Sequence, residues 1–372
     1  MRKRVKRERR LRPAKMAEKA RSEGYIRGWE QGRRYGVSQT VLNRLPAPAF
    51  AFFEKRVMFV LQGFEAIDAG IQQGLASLTR ELIVCKAEHM LQTAAASRPD
   101  MMLVLNGLHV FPEDHLAQAD GVRRLGIKTA IWFADDPYFM DLTPAIVPHY
   151  DYIFTHERNA VAYYRSLGCE RVFHLPLAAA GHIYYPQPAE PSYLSDVCFI
   201  GNAFPNRIDF IDRLAPVLAG RKVVLIGALW DRLKHYKQLR AGIHLGWKPM
   251  DEAAKFYNGA RIVLNLHRAP LDPVYSKNAI GLPAGSINPR TYEIAACGAF
   301  QLTDLRGDLV EFYTPGTEIE TFQSPEDCAG KVLYYLQNEE ERRKIAVRGM
   351  MRTRVSHSFE ARLGQLLQIV FG

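Results

Sequence analysis

INPRTYEIAACGAFQLT, residues 287–303, places a charged pair, Arg290 and Glu293, inside a run that otherwise reads as buried. Ser286 or Asn288 can cap a helix that carries Pro289 in its first turn. Arg290 and Glu293 then fall on adjacent turns of one face, close to the helix start. A surface ion pair at this spacing would contribute little. The apolar neighbours and the short exit through Gly298 into another β-rich run instead predict a packed helix whose N-terminal end alone faces a cleft. At such an end a carboxylate can accept both hydroxyls of a ribose, and a guanidinium can meet a diphosphate through two parallel bonds.

Outward from this helix, β-rich runs alternate with helical stretches, which predicts parallel α/β layers. RVMFVLQG (56–63), TRELIVCKA (79–87), DMMLVLNG (100–107), KTAIWFADD (128–136), DYIFTHE (151–157) and RVFHLPLA (171–178) form a first set. DVCFIGNAFPNR (196–207), RKVVLIGALW (221–230), IHLGWKP (243–249), ARIVLNLHR (260–268) and AFQLTDLRGDLVEFY (299–313) form a second, after the proline-rich stretch YYPQPAEPSYLSD. Continuous apolar runs of this length suit strands covered on both faces. The expected organisation is an arm and linker at 1–50, Rossmann-like domains at 56–180 and 193–355, and a final helix at 356–372. Two such sheets facing one another leave a cleft at their strand ends, where ligands of open α/β sheets bind.

The chain of 372 residues exceeds what one core usually supports. Its formal charge of +10 is concentrated: residues 1–36 hold 14 Lys and Arg against 4 Asp and Glu, and the remainder balances at 35 each. The start, MRKRVKRERRLR, reads as a solvated arm or a contact for a polyanion. Gly24, Gly28, Gly32 and Gly36 follow at four-residue spacing, a stripe that would let a second helix approach, in docking or in self-association. Five scattered cysteines suggest neither a disulfide framework nor a zinc site, and favour a reducing cytoplasm. No window is apolar enough for a membrane span, and no apolar segment follows the basic start as in a signal peptide.

Polar residues gather where strands end. Gly201 and Asn202 follow an apolar run, with Asn206 and Arg207 at the next helix start, an arrangement that can hold phosphate. Asn265, His267 and Arg268 end another strand, as ligand contacts or as a loop with a satisfied histidine. In the first domain, Asp135 and Asp136 end the run KTAIWFADD. One of them, Asp136 by preference, can serve as a general base, or it can cap the turn before Pro137; His156 is a rival base or an acceptor contact. No third ligand stands near the two carboxylates, so no metal site is expected there. Neither domain shows G-x-G-x-x-G after its first strand, which argues against a dehydrogenase.

NPRTYEIAACGAFQLTDLRGDLVEFY and the stretch after it resemble the C-terminal domain of glycosyl transferases group 1, and more closely the spore maturation protein CgeB-like branch. WFADDPY and YDYIFTHERNAVAYYRSLG resemble the first domain of that branch, so the similarity spans about residues 56–372. It implies a GT-B fold: α/β, two Rossmann-like domains with parallel sheets facing across a cleft, here preceded by a basic helical arm. It further implies transfer of a sugar from a nucleoside diphosphate donor, with UDP or TDP as carrier, to a hydroxyl on a protein, glycan or small molecule. The family requires no further cofactor and generally no metal. Glu293 matches the glutamate that holds the ribose, and Gly63 lies in the loop brought near the donor. The wider superfamily often carries a second glutamate where this chain has Gly285, which shifts diphosphate and sugar contacts toward Asn288 and Arg290. A cytoplasmic protein, spore-associated in this branch, is expected; a non-catalytic assembly protein and a nucleotide-sugar epimerase are the alternatives.

Overall fold

The computed structural model describes the backbone of residues 2–372 and the side chains of residues 16–372. Two six-stranded sheets carry the architecture. The first contains β1 (Phe53–Val60), β2 (Thr79–Cys85), β3 (Met101–Leu105), β4 (Lys128–Phe133), β5 (Tyr152–Thr155) and β6 (Val172–His174) in the order β2-β1-β3-β4-β5-β6. The second contains β7 (Ser195–Ile200), β8 (Val223–Ile226), β9 (Ile243–His244), β10 (Ala260–Asn265), β11 (Gln301–Asp304) and β12 (Glu320–Phe322) in the order β12-β11-β10-β7-β8-β9. Every neighbouring pair is parallel. The apolar runs explain this directly: β3 is buried at all its positions, as a central parallel strand covered by helices on both faces must be.

The run at 299–313 resolves differently from its sequence expectation. Only Gln301–Asp304 extends; Gly307 breaks it, and Leu309–Phe312 turn into a short helix. Strand β12 is too short to announce itself by alternation.

A single apolar cluster joins the two sheets. It contains Trp132 and Phe154 from the first, Tyr257, Tyr292 and Ile294 beside the second, and Phe359, Leu363 and Leu367 from the final helix, Phe359–Phe371. That helix crosses back over the helix Glu65–Leu78, where Gly70 and Gly74 make room. A Cβ at Gly70 would stand 2.2 Å from the Phe359 ring. Phe359 lies edge-on to Trp132 at 6.2 Å, and Lys128 Nζ donates to the Val370 carbonyl at 2.6 Å.

The N-terminal arm is one helix, Arg2–Leu42. Its docking uses a polar edge rather than the glycine stripe. Arg27 pairs with Asp196 at 2.8 Å, Arg33 with Glu340 at 3.2 Å, and Arg34 donates to the Asn258 carbonyl. Asn258 in turn donates to Tyr185 and accepts from Gln187, so the arm is tied to the interdomain stretch. Cβ atoms added at Gly24, Gly28, Gly32 and Gly36 would meet nothing within 4 Å. The close approach expected of that stripe is therefore not made among the described residues. The polyanion contact expected of residues 1–12 lies outside the described side chains.

Candidate functional site

Two communicating chambers occupy the cleft between the sheets. The larger, about 560 Å³, is lined by Gly201, Asn202, Arg290 and Glu293 from the second unit and by Phe64 to Ile67 from the first. The smaller, about 290 Å³, holds Asp135, Asp136, His156, Arg207 and Arg268. Phe64, Ile67, Asn202 and Arg290 belong to both walls.

Glycine is demanded where β7 and β8 end. Gly201 has φ +152 and Gly227 has φ +141. A Cβ on Gly227 would stand 2.3 Å from the Gly201 carbonyl oxygen, and one on Gly201 would stand 3.1 Å from Arg207 Nη1 and 3.7 Å from Arg290 Cζ. The turn after β7 thus brings bare backbone against two guanidinium groups. The helix Pro205–Leu218 begins beside it and adds the positive end of its dipole.

Arg207 is buried at 5% exposure, and its guanidinium donates only to the carbonyls of Leu266 and Asn202, each at 2.9 Å. Burial, then the neighbouring Arg290, pulls its pKa down to about 9. Neither Arg207 nor Arg290 forms an ion pair among the described residues. Two adjacent cations that make no ion pair, one of them desolvated, are costly unless an anion joins them.

Asn288 is the N-cap of the helix Pro289–Ala296: its Oδ1 accepts from Thr291 N at 3.0 Å. Of the two expected caps, Ser286 serves elsewhere, accepting from Arg158 N across the cleft. Glu293 lines the larger chamber one turn beyond Arg290, and its carboxyl group makes no hydrogen bond among the described residues. Burial pushes its carboxyl up to about 7, and Arg290 offsets only part of that.

Asn265 and His267, expected as ligand contacts, are committed to holding this helix start. Asn265 is fully buried, donating to Asn288, Thr291 and Gln301. His267, 2% exposed, accepts the Asn288 N–H on Nε2 at 2.9 Å and meets Asp304 through Nδ1 at 2.6 Å. Asn206 lies outside both chambers and donates to the His267 carbonyl. Gly63 also lies outside them, with φ +88; Asp68 accepts its N–H at 2.7 Å and so aims the next residues, Phe64 to Ile67, into the cleft.

On the first unit, Asp136 lines the smaller chamber but is 1% exposed. Thr155 donates to it at 2.6 Å and Tyr164 at 2.9 Å, and burial raises its pKa to about 7. These contacts tie the turn before Pro137 to β5 and to the helix Arg158–Ser166. His156, 6% exposed, has no hydrogen-bond partner for either ring nitrogen. Burial lowers its pKa to about 4, so it is neutral at pH 7. Asp135 is the more open carboxylate: its Oδ2 accepts from Asn106 Nδ2 and meets His109 Nε2, both at 2.9 Å.

Several wall residues were not legible beforehand. Tyr184 and Tyr257 floor the larger chamber, and Trp247, 68% exposed, stands on its rim beside Lys248. They come from three separate segments. Only the aromatic after Gly246, which has φ +96, offered a local signal.

Among the described residues no group of three or more His, Cys, Asp or Glu is placed to hold a metal ion, and no helix is long and apolar enough to cross a membrane. Residues 207–368 match a family model described as glycosyl transferase-like. Spore protein CgeB of Bacillus subtilis (strain 168) is 32% identical over 286 residues, which is 76% of this chain and 86% of that protein. Among solved structures, sucrose-phosphate synthase from Thermosynechococcus elongatus superposes with a TM-score of 0.56 at 13% identity, over 86% of this chain and 99% of that one. Anabaena Alr3699/HepE in complex with UDP and glucose gives 0.56 at 10% identity, over 85% and 99%. These similarities and the two facing parallel sheets make the fold GT-B. The chain belongs to the CgeB-like family of glycosyl transferase-like proteins.

Proposed function

We propose that this protein transfers a sugar from a nucleoside diphosphate donor, of the UDP or TDP type, to a hydroxyl acceptor. The observation that carries the reading is the meeting of Arg207, Arg290 and the Gly201 turn: two guanidinium groups that make no ion pair among the described residues, against bare backbone. A diphosphate supplies the missing charge, and the same contacts stabilise it as it leaves. Glu293, one helical turn away, is suited to accept the ribose hydroxyls, and the larger chamber has the volume for a nucleoside. UDP is the carrier to try first, since HepE was crystallised with UDP and with UDP-glucose.

The acceptor enters from the first unit, where the smaller chamber adjoins the donor at Phe64 and Arg290. His156, neutral and with no hydrogen-bond partner for its ring among the described residues, is the side chain we assign to orient a sugar or acceptor hydroxyl. A spore-surface or cell-surface glycan or protein is the acceptor to test, in view of the CgeB relative.

The test is release of UDP from a panel of UDP- and TDP-sugars, with and without candidate acceptors. Acceptor-stimulated release, lowered about tenfold or more in Arg290→Ala, is expected for loss of one charge-assisted contact. Isomerised donor without transfer would point to an epimerase, and no turnover with any donor would leave an assembly protein.

A further inference from the structure

The reading above engages Arg207 and Arg290 with a diphosphate, in which each phosphate brings one negative charge. A third guanidinium is then left over. Arg268 follows β10 and lines the smaller chamber together with Arg207 and Arg290. It makes no ion pair among the described residues.

The acids of that wall already have donors. Asp135 accepts from Asn106 and meets His109, and Asp136 accepts from Thr155 and Tyr164. Glu157 accepts the backbone N–H groups of Asn159, Gly285 and Ser286. Asp272, whose charge also acts on Arg268, accepts from the N–H groups of Val274 and Tyr275. Carboxylates here are satisfied, and the guanidinium groups are short of acceptors.

The surroundings of Arg268 fix how it can be reached. Its Cζ stands 4.5 Å from the ring centre of Tyr138, on the first unit, and 4.5 Å from that of Phe204, on the second, with Phe139 at 5.8 Å. The Tyr138 hydroxyl donates to the Arg268 carbonyl at 3.3 Å, and Nη2 donates to Ser276 Oγ at 3.1 Å. Rings flanking a planar guanidinium leave its N–H edges for recognition. Of the remaining nitrogens, Nε is enclosed without a partner, while Nη1 is neither enclosed nor bonded among the described residues. Burial lowers the pKa of this group from the ordinary arginine value, yet an arginine keeps its charge at neutral pH. The chamber therefore holds one oriented cation beyond what a diphosphate uses. A single surplus charge suits a carboxylate better than a phosphate monoester, whose second pKa of about 6 leaves it nearly doubly charged at pH 7.

We propose, resting on the transfer reading above, that a substrate group beside the diphosphate carries a carboxylate and that Arg268 receives it. The protein is then selective for an acidic sugar, either as the sugar transferred or as the acceptor. Charge-assisted bonds from Nη1 to the carboxylate supply the preference over a neutral sugar.

The test has two arms, each run on wild type, Arg268→Gln and Arg268→Lys. The donor arm titrates UDP-glucuronate and UDP-glucose by calorimetry. The acceptor arm titrates glucuronate, glucose 6-phosphate and glucose into the UDP-saturated protein, followed by ligand NMR, so that Arg207 and Arg290 are already engaged. In one arm the carboxylate ligand should bind wild type about tenfold or more tightly than its neutral counterpart, and that arm names the source. The ratio should fall to about one in Arg268→Gln and be kept in part by Arg268→Lys, which retains a point charge. Because each ratio compares two ligands on one protein, a general weakening of the variant cancels. Wild type that binds UDP but shows no preference in either arm overturns the inference and leaves the transfer reading standing. So does a preference that Arg268→Gln retains, or tighter binding of glucose 6-phosphate than of glucuronate. Wild type that binds no UDP overturns the transfer reading first, and this inference with it.

Discussion

Glu157 Oε2 accepts the backbone N–H of Gly285 at 3.0 Å, and that of Ser286 at the same distance, joining a carboxylate of the first unit to the loop that leads into the Pro289–Ala296 helix. A Cβ at Gly285 would stand 2.7 Å from Asn159 Nδ2 and 3.3 Å from Glu157 Oε1, which explains why no side chain occupies this position. Glu157 is 1% exposed, and its second oxygen accepts from Asn159 N. Replacing it by glutamine sets an amide N–H against backbone donors. Glu157→Gln is expected to cost about 2 kcal/mol of stability, as for a charged buried hydrogen-bonding group, and to loosen the loop. Chemical denaturation measures the first. Faster proteolytic cleavage within residues 269–287 reports the second.

The pH dependence of nucleotide binding follows from Glu293. Its folded pKa of about 7 lies above the ordinary 4.5, so the empty protein holds this proton more tightly than the unfolded chain does. Its contribution to stability is therefore present below pH 4.5 and is lost as pH rises through 7. A carboxylate that accepts ribose hydroxyls must be ionised, so ligand binding runs the other way. UDP affinity should rise between pH 6 and 8 in the wild type by more than phosphate ionisation alone produces. Glu293→Gln, titrated by calorimetry over the same range, should show only the phosphate component.

The arm yields a contrast between two changes. Among the described residues its ties to the body run from Arg27 to Gln39, which donates to the Pro186 carbonyl, so replacing the exposed Tyr25 by alanine should leave unfolding within about 0.5 kcal/mol of the wild type. Arg34, whose pKa burial lowers to about 10, holds Asn258 and through it the interdomain stretch. Arg34→Ala should cost about 1–3 kcal/mol by leaving buried carbonyls without a donor. Thermal unfolding of both variants checks the pair.

Glu293 and Arg290 were legible because their meaning is local: a cap, a proline at the first turn and a three-residue spacing place both on one helix end. The parallel sheets were legible for the same reason, as continuous apolar runs. Asn265 and His267 could not be assigned from sequence, since a polar side chain after a strand looks the same whether it meets a ligand or a helix cap. Tyr184, Trp247 and Glu157 acquire their roles only from partners far along the chain; Glu157 reaches across 128 residues to Gly285.

The central claim is that Arg207, Arg290 and Glu293 form a nucleoside diphosphate site, and calorimetric titration of UDP into wild type, Arg290→Ala and Glu293→Ala tests it most directly. Saturable binding at one site, weakened about tenfold or more by each substitution, is the expected result, as each removes a contact to a charged group of roughly 1.5–3 kcal/mol. Folded wild-type protein that takes up neither UDP nor TDP, or binding that both substitutions leave intact, would contradict the account.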